Sequence, residues 1–115
     1  MVDYSYWGHL DRLVAESRII VDNPRGTHDG GSDTAVYPVD YGYLEGTSSM
    51  DGEGIDVFVG SDPADSVDTI VCTVDLVKRD SEIKVLIGCT EEEKQQILRL
   101  YEAFSPMRPH LVRRG

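Results

Sequence analysis

The segment Tyr37–Val57 reads YPVDYGYLEGTSSMDGEGIDV. Its last part, from Met50 onwards, crowds three carboxylates into six residues and separates them with two glycines. Glycine allows a tight turn, and the apolar run Ile55–Val59 predicts that this turn leads into a strand. Carboxylates this close repel one another, and a hard divalent cation such as Mg2+ or Ca2+ lowers that energy through oxygen ligands. The segment is therefore a candidate cation site. The alternative is an acidic, solvated hairpin, because turns favour Asp and Gly in any case.

The composition is that of one small acidic domain. The chain has 115 residues, of which 40% are hydrophobic and 28% charged, so we expect a single domain over residues 1–115. The net charge of −10 argues against nucleic acid as a partner. Lys and Arg are absent from Gly26 to Val77, where acidic residues are frequent. A segment this one-sided indicates either bound cations or a strongly solvated surface.

The apolar runs are short, and charged residues interrupt the start of the chain. We therefore expect a cytoplasmic protein without a signal peptide or a membrane partner. Cys72 and Cys89 have no metal-binding spacing and are predicted to be buried free thiols. The three histidines are scattered, which argues against a histidine-based transition-metal site.

Hydrophobic periodicity predicts two helices with about five strands between them, and an edge strand at the end of the chain. The second helix begins with a capping box, TEEE from Thr90, so its glutamates have a structural role. The strand at 67–77 is apolar on both faces and is expected to be central. Asp75 on that strand needs a cation, a salt bridge or an opening to water. The helices are predicted at 4–16 and 90–104, and the strands at 18–22, 35–39, 55–59, 67–77, 83–89 and 111–114.

The central motifs resemble those of the soluble, family I inorganic pyrophosphatases. Tyr37–Tyr43, Gly46-Thr47 and Asp51–Val57 are similar to that family's Y-P-x-N-Y-G-Y, G-T and D-G-D-P-x-D-V patterns. Ile19–Pro24 looks like the family's strand that ends in Glu and Pro. From Asp22 to Asp80, the resemblance covers about half of the chain.

The resemblance implies a mainly β fold: a five-stranded, OB-like closed barrel with the N-terminal and C-terminal helices packed outside. It also implies hydrolysis of inorganic pyrophosphate to two phosphates by a metal-activated water. The implied cofactor is Mg2+, with Mn2+ as an alternative. Because pyrophosphate is strongly anionic, cations must reverse the local charge before an acidic protein can bind it.

The resemblance also implies a role for individual residues. Asp75 and Asp80 keep the five-residue spacing of two family metal ligands, and Asp22 matches a family glutamate near the metals but is one methylene shorter. The implied metal ligands are Asp51, Asp56, Asp75, Asp80 and Asp22; the implied general base is Glu53; and Tyr41 and Tyr101 are implied to contact phosphate, Tyr41 through its hydroxyl.

Several features depart from the family pattern. The chain is shorter than typical members, Glu53 stands where the family has Asp, and Gly54 stands where it has Pro. The loop Gly26–Thr34 replaces a longer hairpin that supplies a Lys and an Arg to phosphate. Glu102 stands where the family has another phosphate-binding Lys. The predicted metal side is therefore complete, whereas the predicted phosphate side is depleted.

Three cations remain as candidates for phosphate binding. Arg25 directly precedes the shortened loop. Lys78 and Arg79 lie between Asp75 and Asp80, and we hypothesise that they supply the missing charge, directly or across the boundary of a homo-oligomer. The alternative for this pair is a solvated turn. With phosphate binding depleted, turnover could be weak or lost, so the alternative function is a non-catalytic metal- or phosphate-binding relative.

Overall fold

The computed structural model describes residues 3–28, 35–63, 66–103 and 106–115. Within these ranges, helices and strands follow the order helix, five strands, helix, strand. Their bounds are α1 (Tyr6–Glu16), β1 (Ile19–Asn23), β2 (Asp40–Leu44), β3 (Ile55–Val59), β4 (Thr69–Asp75), β5 (Asp80–Ile87), α2 (Glu91–Glu102) and β6 (Met107–Arg113).

The strands form one sheet in the order β1-β2-β3-β5-β4-β6. All neighbouring strands are antiparallel except β3 and β5, which run parallel with Val57 opposite Val85. The mainly β character with two helices is confirmed. The closed five-stranded barrel is wrong, since β1 and β6 are the two edges of an open six-stranded sheet. Alternating hydrophobicity predicts that each strand has a buried face. It does not predict whether the first and last strands pair and close a barrel.

The core lies on both faces of this sheet, with one helix over each. Successive strand residues point to opposite faces, so Val57 packs with Leu10 of α1 while Phe58 packs with Ile97 and Tyr101 of α2. Helices outside the sheet are therefore confirmed. Neither helix in the described part of the chain has the length and apolar character needed to cross a bilayer.

Some predicted element boundaries are wrong. The strand predicted at 35–39 is reduced to an isolated bridge between His28 and Val36, and β2 begins only at Asp40. Pro38 lacks an N–H and cannot donate to a ladder there. The strand predicted at 83–89 starts earlier than expected, because β5 already begins at Asp80. The predicted end of the second helix at Phe104 lies outside the described residues.

Other local predictions are confirmed. The Thr90 hydroxyl accepts from the N–H of Glu93, and the Glu93 carboxylate accepts from the N–H of Thr90, which completes the capping box. Both thiols are free; Cys89 is buried, but Cys72 is only half-buried. Arg114, next to the last strand, forms ion pairs with Asp3 and Asp11.

Candidate active site

One cleft of about 480 Å³ gathers side chains from most of the sheet and from the end of α2. It lies on the sheet face that α2 covers. Asp56 points to the same face as Phe58, and Lys84 points to the same face as Leu86. Phe58 and Leu86 both belong to the core under that helix. Its acidic wall consists of Asp22, Asp51, Glu53, Asp56, Asp75 and Glu82. Its remaining walls consist of Tyr37, Tyr41, Lys78, Lys84, Leu100, Tyr101, Pro106 and Met107.

Lys84 is the central cation of this cleft. Its side chain is only 6% exposed, and the parallel pairing of β3 with β5 places it beside Asp56. The Lys84 Nζ donates to Asp56 Oδ2 at 2.7 Å, to Glu82 Oε2 at 3.1 Å and to the Tyr41 hydroxyl at 3.0 Å. An ammonium has three protons, so these three acceptors use its whole donor capacity. Burial alone would lower the pKa of Lys84, but its neighbours Tyr101, Tyr41 and Asp56 raise it, and the group stays charged.

Tyr41 is held rigidly next to this cation. Its ring stacks on Tyr37 with the centroids 5.1 Å apart and packs against Phe58 at 4.8 Å. Burial raises the pKa of Tyr41, and burial likewise raises that of Tyr101, whose ring lies 6.0 Å from the Lys84 Nζ. The Tyr41 hydroxyl accepts from Lys84, and after burial the nearby Asp56 carboxylate also raises the pKa of Tyr41, so this hydroxyl lies between the cation and the acidic wall.

The acidic turn is ordered by its own carboxylate. Asp51 Oδ1 accepts from the Ser49 hydroxyl at 2.7 Å and from the backbone N–H of Glu53 at 2.9 Å. A hydrogen bond with Glu82, followed by these two contacts, lowers the pKa of Asp51 to about 2. Burial and the same contact with Asp51 raise the pKa of Glu82. The two carboxyl groups form a coupled pair in which Asp51 is the readier to lose its proton.

Asp75 ends β4 and is 7% exposed. Its Oδ1 accepts from the backbone N–H of Val77 at 2.9 Å and from that of Lys78 at 3.1 Å. The sequence predicts that a carboxylate on this strand needs a cation, a salt bridge or an opening to water. The structure supplies two backbone donors and an opening to the cleft.

The structure does not bring every predicted residue into this cleft. Asp80 pairs with Asp75 across the β4–β5 hairpin and is not part of the cleft wall, and neither is Arg79. Arg25 lies at a separate pocket of about 180 Å³, together with Glu93. The predicted residues that the cleft does unite are Asp22, Tyr41, Asp51, Glu53, Asp56, Asp75, Lys78 and Tyr101.

Glu82 and Lys84 were not predicted from the sequence as residues of the site. Glu82 directly precedes the strand predicted at 83–89, and Lys84 lies within the otherwise apolar run Ile83–Ile87. Residues two apart in a strand share a face, and each pair of residues advances about 7 Å along it. Glu82 and Lys84 therefore meet Asp56, while Asp80 lies one step further towards the hairpin. A lysine inside an apolar strand was the signal that could have found this pair.

The donor set fits a hard divalent cation, because the acidic wall offers carboxylate oxygens and no sulfur or imidazole. As the side chains lie, however, no three acidic, histidine or cysteine side chains among the described residues converge to hold one ion. Protein groups also engage these carboxylates: Lys84 bonds to Asp56 and Glu82, and backbone N–H groups bond to Asp51 and Asp75. A cation would compete with these partners.

Comparison with known proteins concerns the family and the fold of the chain. The family model for inorganic pyrophosphatase matches residues 15–107. Among solved structures, the inorganic pyrophosphatase of Helicobacter pylori superposes with a TM-score of 0.59 at 12% identity, over 83% of this chain and 81% of the other. At this identity the likeness shows a shared fold. A search of curated protein sequences returned no match. Because the family model spans most of the chain, this protein belongs to the inorganic pyrophosphatase family.

Proposed function

We propose that this protein hydrolyses inorganic pyrophosphate to two phosphates in a reaction that depends on Mg2+. The observation that carries the proposal is the cleft wall, in which six carboxylates surround Tyr41 and the buried Lys84. Such a wall would repel a diphosphate anion unless cations intervened. Family membership supports the same substrate.

Asp51, Asp56 and Glu82, with Asp22 nearby, are the residues that would hold the metal. Asp75 is left out of this set, because two backbone N–H groups already bond to one of its oxygens. Glu82, and not Asp80, belongs to this proposed set because Glu82 lines the cleft. A bound Mg2+ or Mn2+ would supply a water of lowered pKa and would neutralise charge on the pyrophosphate oxygens.

The protein's own residues have separable tasks. The Tyr41 hydroxyl, oriented by Lys84, donates to a phosphate oxygen. The Lys84 ammonium pairs with Asp56 at 2.7 Å and so offsets part of the negative charge of the acidic wall. Glu53 is exposed, and no ion pair within the described residues involves it, so its carboxylate is available to accept a proton from the attacking water.

Phosphate release from pyrophosphate, measured with and without Mg2+, tests this function. We expect Mg2+-dependent turnover that Asp56→Asn lowers about 100-fold or more, because one charged oxygen is lost from the metal-holding set. Asp62→Asn is the matched control, since Asp62 is exposed and does not line the cleft. Full activity in Asp56→Asn would contradict the proposal.

A second candidate function is a non-catalytic module that binds metal and phosphate. It is favoured by the shortage of free positive charge, because Lys84, one of two lysines in the described cleft wall, spends all its protons on protein oxygens. Mg2+ binding by the wild type without phosphate release would establish this candidate.

Several other properties stay predictions from the sequence. They are the single domain, the cytoplasmic location, the homo-oligomer and the lack of nucleic-acid or membrane partners.

A further inference from the structure

The short turn between β4 and β5 reaches the cleft through one side chain, that of Lys78. Asp75 holds this turn by accepting the N–H groups of both Val77 and Lys78 on one oxygen. Arg79 completes the turn in the left-handed region, with φ of 57°. A side-chain acceptor that bonds to residues two and three positions later fixes the backbone direction there. The direction in which Lys78 leaves the backbone is therefore set by Asp75.

Lys78 is the cleft cation that remains available. Lys84 is buried and bonded to three protein oxygens, whereas Lys78 is exposed and has no ion-pair partner within the described residues. Arg79 and Arg25 do not line the cleft. Of the cations that the described cleft wall contains, Lys78 alone has an unused ammonium.

The cleft wall is strongly negative, so an anion entering it gains most from a positive group at the opening. A lysine ammonium is a compact charge on a flexible stem, which suits contact with the several oxygens of a phosphate group. Arginine would offer the same charge with a planar fork, which makes it the conservative replacement.

We propose that Lys78 binds a terminal phosphate group of the diphosphate substrate, and that Asp75 is a positioning residue that holds Lys78 at the cleft. This inference rests on the proposed function for the identity of the anion. It separates Lys78 from Arg79 within the same turn, and it gives the buried Asp75 carboxylate a task that does not require a metal.

Binding of imidodiphosphate, the pyrophosphate analogue with nitrogen as the bridging atom, tests the inference without turnover. Calorimetric titration of the magnesium complex should give a Kd about tenfold higher for Lys78→Ala than for the wild type, because one charged phosphate contact is lost. Lys78→Arg should restore most of the affinity. Arg79→Ala, the matched control from the same turn, should bind like the wild type. The affinity for Mg2+ alone should not change in any of the three variants.

Asp75 is tested by two substitutions. Asp75→Asn keeps an oxygen that accepts both N–H groups, so its Kd for the analogue should stay near that of the wild type. Asp75→Ala removes the acceptor and should raise the Kd as much as Lys78→Ala, with no further rise in the double variant. If Asp75→Ala unfolds, the Kd of Asp75→Asn still tests the positioning role. The Kd of Lys78→Ala still tests phosphate binding by Lys78.

An unchanged Kd in Lys78→Ala, or an equal rise in Arg79→Ala, would overturn the inference. An equal loss of affinity in Asp75→Asn and Asp75→Ala would overturn the positioning role. If the wild type releases phosphate from pyrophosphate while Lys78→Ala binds normally, only this inference fails. If the wild type binds neither pyrophosphate nor its analogue, the proposed function fails with it.

Discussion

Lys84 shows how one residue stabilises an acidic site that would otherwise repel itself. Its buried ammonium lies between Asp56 and Glu82 and orients the Tyr41 hydroxyl. Two lightly exposed carboxylates this close together need a counter-ion. In this structure the protein supplies one from within the sheet, through Lys84.

We expect Lys84→Met to lower the free energy of unfolding by about 2–4 kcal/mol, because the methionine leaves Asp56 and Glu82 without their cation. Urea denaturation at neutral pH measures this change. Lys94→Met is the matched control: its side chain is 7% exposed, but its partner Asp68 is 59% exposed. A solvated partner needs less compensation, so this variant should lose about 1 kcal/mol. Equal losses in the two variants would show that burial of the lysine stem, and not charge pairing, governs the effect.

The first turn of α2 is bonded to the sheet through Glu93. Glu93 caps the helix by accepting from Thr90, and the same carboxylate accepts from the backbone N–H of Ser61, just after β3. Burial opposes ionisation of Glu93, but these N–H donors outweigh it and lower its pKa below the ordinary 4.5. The cap is therefore strongest when Glu93 is charged.

We expect Glu93→Gln to lower the free energy of unfolding by about 1 kcal/mol at pH 7. A lowered folded pKa contributes stability that is fully present above 4.5 and is lost as pH falls through the lowered value. The difference between wild type and variant should therefore shrink below pH 4.5. Denaturation of both proteins across pH 3–7 measures this, with Glu92→Gln, an exposed neighbour, as the control. A difference that stays constant with pH would contradict the assignment.

The pairing of β1 with β2 depends on a missing side chain. Gly42 is buried opposite Val21, and a Cβ there would overlap with the carbonyl oxygen of Ile20. Backbone atoms cannot rotate away as a side chain can, so Gly42→Ala should cost about 3 kcal/mol of folding stability. Gly46→Ala is the comparison: nothing crowds that position, and its φ of 80° alone should cost about 1 kcal/mol. Similar denaturation midpoints for the two variants would refute the close approach.

At the scale of the whole molecule, the two ends of the described chain are joined. The Arg114 guanidinium donates to Asp11 Oδ2 at 2.9 Å, to the Val67 carbonyl at 3.0 Å and to Asp3 Oδ2 at 2.9 Å. Asp11 also accepts from the N–H of Val67 at 2.6 Å. These contacts tie α1 to the segment before β4 on the sheet face away from the cleft.

Arg114→Ala should lower Tm by about 5 °C while leaving pyrophosphate turnover unchanged, because the tie supports α1 and touches no residue of the cleft wall. Calorimetric melting at low and high salt measures this, and the difference from the wild type should decrease with salt. Arg108→Ala, at an exposed position of β6, is the control. A loss of activity at unchanged Tm would mean that this end of the chain acts on the site.

Much of the molecule is encoded locally. Helix α1, strand β3 and the capping box of α2 were predictable, because side-chain periodicity and capping depend on residues a few positions apart. The acidic turn was predictable for the same reason. Its carboxylates Asp51, Glu53 and Asp56 do line the cleft, since three of them within six residues cannot lie far apart.

Sequence alone therefore determined the family motif, the mainly β character and the acidic centre of the site. Only the tertiary structure decided that the sheet stays open, that Glu82 in place of Asp80 faces Asp56, and that Lys84 is the internal counter-ion. These features depend on the register of β3 against β5 and on where the β4–β5 turn begins. Register joins residues nearly thirty positions apart, and a displacement of two residues moves a side chain about 7 Å along its strand. The register therefore cannot be predicted from the local sequence pattern of either strand.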